Sequence, residues 1–115
     1  MSTSSLDVRF FTTASGAEPV REWLKALPVS ERRKIGEEIK TVQFGWPLGM
    51  PLVRKLTKDL WEIRVHLTDR IARILFTVVH GIMVLLHGFI KKSPAIPSDD
   101  LDMAKNRLKQ IRSAK

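Results

Sequence analysis

Three apolar runs joined by two-residue connections fill much of the second half of the chain and leave little choice of fold. In residues 60–67, Trp61, Ile63, Val65 and Leu67 alternate with Glu62, Arg64 and His66. That two-residue period belongs to a strand with one buried face. Residues 70–79 and 82–92 form the second and third runs, and 52–56 can add a short strand before them. The connections Thr68-Asp69 and His80-Gly81 are too short for a crossover, so the strands must run antiparallel. The apolar stretch 74–90 is broken by His80, Gly81, His87 and Gly88 and is rich in β-branched residues. It reads as a hairpin and not as a membrane helix.

Elsewhere the period is helical. Val8 to Phe11 suits a short first strand. Pro19 stands where a helix tolerates it best, with Val20, Trp23, Leu24 and Leu27 on one face until Pro28 stops it. Ser30 is placed to cap a second helix carrying Ile35, Ile39 and Val42, which ends in the loop Phe44–Gly49. Pro94 and Pro97 end the sheet. Ser98 then caps a last helix with Asp99 and Asp100 in its first turn and the stripe Leu101, Ala104, Leu108 and Ile111. The expected architecture is α+β in one domain over 1–115. Two N-terminal helices and a C-terminal helix pack on one face of a twisted antiparallel sheet of four or so strands.

The formal charge is +8 over 115 residues. Residues 1–50 carry seven basic and six acidic groups, whereas 51–115 carry thirteen and six. A polyanionic partner is the natural expectation. Cysteine is absent, which removes disulfides, thiolate chemistry and zinc ribbons. The three histidines are fourteen and seven residues apart with no carboxylate cluster beside them, and no glycine-rich phosphate loop or nucleophile elbow occurs. No metal and no cofactor are therefore expected. The first residues lack the pattern of a secretory signal, so a cytoplasmic location is expected.

With Thr68-Asp69 as a two-residue turn, Leu67 pairs with Arg70. Ile63 then opposes Ile74, Val65 opposes Ala72 and Trp61 opposes Phe76, which supports the register. Arg64 falls directly opposite Arg73, on the face expected to point away from the helices. Like charges in that relation destabilise a sheet, which suggests that the pair holds an anion such as a phosphate. The competing reading is a solvated strand face whose arginines are neutralised by Glu62, Asp69 or Asp59. Two parities are open for the third strand. A two-residue turn at His80-Gly81 sets Arg73 against Gly88, leaving room for a ligand, whereas a longer loop with a bulge brings His87 beside Arg73. His87, Phe89 and the pair Lys91-Lys92 together suit RNA handling through proton transfer, base stacking and phosphate charge. His66 lies two residues from Arg64 on the same face. Arg54 and Lys55 widen the basic field, and Lys105, Lys109 and Arg112 on the last helix suit a polyanion contact.

The segments PVREWLKALP, PLVRKLTKDLWEIRV, RIARILFTV and LLHGFIKKSPAIPSDDLDMAKNRL carry a resemblance over nearly the whole chain. The sequence resembles the RelE/ParE toxin superfamily, in its HigB-like, phage-derived branch of type II toxin–antitoxin systems. The resemblance implies a metal-independent, ribosome-dependent mRNA endoribonuclease in which a 2′-hydroxyl attacks the adjacent phosphate. It also implies a HigA-like helix-turn-helix antitoxin, through which alone DNA is contacted. By matched position Arg64 and Arg73 correspond to basic residues of the family's central strands, and Lys91 or Lys92 to the basic residue after the last strand. Arg73 with Lys91 or Lys92 is then expected to stabilise charge, Arg64 to orient substrate and His87 to transfer protons. The chain departs from many relatives in having no tyrosine and no histidine after His87, and in carrying Glu62 where some have lysine. A gyrase-directed, ParE-like toxin and a non-catalytic RNA-binding module are the competing readings.

Overall fold

A computed structural model describes residues 5–91 and 96–113. The order of elements is β1 (Asp7–Phe10), α1 (Pro19–Lys25), α2 (Val29–Gly45), β2 (Val53–Thr57), β3 (Leu60–His66), β4 (Ile71–Val79), β5 (Ile82–Lys91) and α3 (Ser98–Ser113). The five strands form one sheet in the order β1-β5-β4-β3-β2. The meander β2 to β5 is antiparallel, as its short connections require, and the β3–β4 register pairs Ile63 with Ile74, Val65 with Ala72, Trp61 with Phe76 and Arg64 with Arg73. β1 instead lies parallel to β5, which makes the sheet mixed and five-stranded where an antiparallel sheet of about four was expected. Two backbone bonds anchor that edge: the Asp7 N–H donates to the Gly81 carbonyl and the Phe11 N–H to the Leu85 carbonyl, both at 3.0 Å.

The helices divide between the two faces, which corrects the expectation that all three share one. Val20 of α1 and Ile35, Ile39 and Val42 of α2 pack on Ile63, Val65, Ala72, Ile74 and Phe76. Trp46, Trp61 and Phe76 add a ring cluster there, with centroids 5.0 to 6.1 Å apart. Ala104 and Leu108 of α3 pack on the reverse side, against Leu75, Leu86 and Phe89. An amphipathic stripe on α3 states that the helix buries one side, and nothing in it says against which face of the sheet.

The helix starts also differ from the sequence reading. Pro28, and not Ser30, precedes the first turn of α2, and Ser98 is itself helical, with the Leu101 N–H bonded to the Pro97 carbonyl at 3.1 Å. Proline at these points has already fixed its φ and lacks only a donor, so it fits a helix entrance well. The anticipated role of Pro94 and the position of Lys92 lie outside the described residues.

Candidate nucleic-acid interface

The parity of β5 decides which side chains share the α3 face. His80 and Gly81 form a two-residue turn with φ of 51° and 77°, a left-handed pair that glycine adopts freely and that matches the twist of a hairpin. From that turn, pairing runs evenly to Phe76 opposite Leu85. A bulge follows, and Leu75 pairs with His87, Ile74 with Gly88 and Arg73 with Phe89. Both sequence alternatives are thus partly realised: the turn is short, and a bulge within the strand shifts the parity. His87 and Phe89 consequently stand on the face of Arg73. Gly88 stands on the other face, where a Cβ would run into the Trp23 ring. The space at Gly88 is filled by the indole and is not a ligand site.

Two rows of residues cross this face. Arg54, Glu62, Leu75 and His87 form the first, and Arg64, Arg73 and Phe89 the second. Adjacent strands lie about 4.8 Å apart, so the first row spans roughly 15 Å. Glu62 is its centre. It is fully buried, and a lone carboxylate does not tolerate that environment. Its Oε2 accepts from Arg73 Nη1 at 3.2 Å, while Oε1 lies 3.3 Å from Arg54 Nε and 4.0 Å from Arg64 Nε. Among the described residues, three guanidinium groups gather around this one carboxylate.

No bound phosphate is needed to explain the Arg64–Arg73 pair, because an internal carboxylate lies beside both arginines. Glu62 performs the neutralising role that the competing sequence reading allowed. Arg73 is 0% exposed and sits beneath the surface, whereas the side chains of Arg64 and Arg54 are 19% and 37% exposed. The expectation that Arg73 meets a ligand directly is corrected, because its side chain is fully buried. Arg64 reaches a groove of about 280 Å³ lined also by Lys34, Glu38, Pro51, Leu52 and His66.

At the other end of the first row, His87 Nε2 lies 2.6 Å from Asp100 Oδ1 in the first turn of α3. The imidazole stacks on Phe89 with centroids 5.6 Å apart at 25°. Phe89 is only 8% exposed and belongs to the apolar cluster under α3, so it backs the histidine and offers no platform for a base. Arg107 Nη1 donates to the Leu86 carbonyl at the bulge, 2.8 Å away, and its guanidinium lies 5.4 Å from the Phe11 ring. Burial lowers the Arg107 pKa from its ordinary value.

The remaining expected residues are dispersed. Lys55 is on the opposite face from Arg54, with Nζ 5.9 Å from the Trp61 ring centroid. His66 is exposed at the end of β3. Lys105 and Lys109 are exposed on α3, while Arg112 is bound to Asp59 at 2.6 Å. Lys91 closes β5 opposite Ile71. Asp100 and Arg107 were missed as site residues: in sequence, an aspartate opening a helix already has a complete explanation in the helix dipole. Among the described residues, no group of three or more His, Asp or Glu is arranged to hold a metal ion, and no helix is long and apolar enough to cross a membrane.

A search of curated proteins returned no match. Residues 22–109 match the family described as "Phage derived protein Gp49-like (DUF891)", a span that runs from α1 through the whole meander into α3. The fold built from these residues, with its arginine-rich central strands, is therefore that of a member of the Gp49-like phage-derived family, a RelE/HigB-like toxin family.

Proposed function

We propose that the chain is the toxin of a type II toxin–antitoxin pair and an endoribonuclease that cuts messenger RNA held on the ribosome. One observation supports this reading above others: in a chain of a toxin family, Arg54, Arg64 and Arg73 share a face with a carboxylate-held histidine. The 2′-oxygen of one nucleotide bonds the adjacent phosphorus while the bond to the 5′-oxygen of the next breaks. A 2′,3′-cyclic phosphate and a 5′-hydroxyl result. The proton lost by the 2′-hydroxyl balances the one gained by the 5′-oxygen. His87 carries one of these transfers and solvent the other.

Charge accumulates on the phosphoryl oxygens in the transition state, and fixed guanidinium groups stabilise it without reorganising. Arg64 and Arg54 present accessible edges for that purpose, and Arg73 contributes its charge from below; the family resemblance adds Lys91 or Lys92 as a further cation. His66 extends the interface along the groove beyond Arg64, and Lys105 and Lys109 extend it along α3. The nucleophile belongs to the RNA, so the route needs no metal-bound hydroxide. A HigA-like helix-turn-helix antitoxin covers this face in the cytoplasm and supplies the only contact with DNA.

The reading is tested by expressing the chain alone and mapping the 5′ ends of ribosome-bound transcripts. Growth arrest with new 5′-hydroxyl ends inside translated messages is the expected outcome, relieved by Arg64→Ala. Intact messages with a DNA-damage response would point to gyrase instead. Strongly salt-dependent RNA binding without cleavage would identify a binding module.

A further inference from the structure

We infer that Asp100 is a positioning residue that fixes the tautomer and plane of His87, so that Nδ1 is the atom that exchanges a proton with RNA; this rests on the ribonuclease reading of the face. Asp100 Oδ1 and His87 Nε2 are 2.6 Å apart, and their side chains are 24% and 18% exposed. A carboxylate only accepts, so Nε2 carries the hydrogen, and the neutral ring keeps its lone pair on Nδ1. Among the described residues, Nδ1 has no hydrogen-bond partner. Phe89 holds the ring plane from one side, at 25°.

The sheet and helix are joined at this point twice. Seven residues along α3, about 10 Å by helix geometry, Arg107 binds the carbonyl of Leu86, the neighbour of His87. The His87–Asp100 contact depends on the bulge. Without the extra residue His87 would pair with Ile74 and turn to the α1/α2 face, where no α3 carboxylate could reach it.

The arrangement has a direct chemical consequence. As the 2′-oxygen bonds phosphorus, its proton passes to Nδ1, and the imidazolium so formed lies against the Asp100 carboxylate. Among the described residues, the charged groups that this face places near the ring are Asp100 and Arg107 on α3, Arg73 on β4 opposite Phe89, and Glu62 on β3 in the same row as His87. Arg73 and Arg107 oppose a cationic ring, Glu62 is already engaged by arginines, and Asp100 is the carboxylate in contact.

The test combines imidazole 15N chemical shifts with single-turnover cleavage of ribosome-bound message, using the wild-type chain, Asp100→Asn and, as a control on the same helix, Asp102→Asn. Wild-type His87 is expected in the Nε2–H form. Asp100→Asn should lose that preference, because an amide can donate as well as accept, and cleave roughly tenfold or more slowly with ribosome binding unchanged. Asp102→Asn, exposed in α3, should match wild type on both counts. An Nδ1–H tautomer in wild type, or full-rate cleavage by Asp100→Asn, overturns the inference. If wild type cuts nothing, the ribonuclease reading fails, and the tautomer still decides whether Asp100 sets the ring. Should Asp100→Asn fail to fold, the wild-type tautomer alone decides, Nε2–H supporting the inference and Nδ1–H overturning it.

Discussion

The two faces of the sheet are made from alternate residues of the same strands, yet they are built to different ends. Toward α1 and α2, β3 and β4 present Ile63, Val65, Ala72, Ile74 and Phe76, and the interior there is a continuous apolar layer. Toward α3 they present Glu62, Arg73 and Thr77, all fully buried, beside Leu60 and Leu75. Burying a hydrogen-bonded ion pair gains little over apolar residues of similar volume. A sheet that needed only stability could have been apolar on both sides. The second face keeps its charges because α3 covers β5 and β4 and leaves Arg54 and Arg64 partly open at the other edge.

That contrast can be broken experimentally, and the largest effect should come from its centre. Glu62→Ala removes the buried carboxylate that Arg73 Nη1 binds at 3.2 Å and should cost about 3–5 kcal/mol in urea unfolding. The pair Glu62→Leu with Arg73→Leu should recover most of that stability while abolishing message cleavage. A double variant no more stable than the single one would show that the buried charges hold the fold. On the apolar face, Gly88→Ala forces a methyl group into the Trp23 ring and should cost about 1–3 kcal/mol with cleavage retained in the folded fraction. Arg64→Ala should lower the slope of log affinity for single-stranded RNA against log salt by about 0.7, measured by fluorescence anisotropy. The smallest effect is expected at Arg112→Ala, which removes an exposed pair with Asp59 and should change stability by no more than about 1 kcal/mol.

Much of this was legible from local pattern. The alternation in 60–67 and the turn at Thr68-Asp69 were sufficient to set the β3–β4 register residue by residue, including Arg64 against Arg73. Contacts distant in sequence were not. β1 pairs with β5 some seventy residues later, and no feature of Asp7–Phe10 announces a parallel partner. The bulge in β5 is secured by Arg107 on the Leu86 carbonyl and by Trp23 against Gly88, from two different helices. The choice between the two parities was therefore open until the helices were placed, and the His87–Asp100 contact was hidden with it.

The central claim is that the α3 face, and not its reverse, meets the message. Arg54 and Lys55 are neighbours in β2 that point to opposite faces. Cleavage of ribosome-bound mRNA should be strongly impaired by Arg54→Ala and unaffected by Lys55→Ala; equal losses, or a loss confined to Lys55→Ala, would contradict the account.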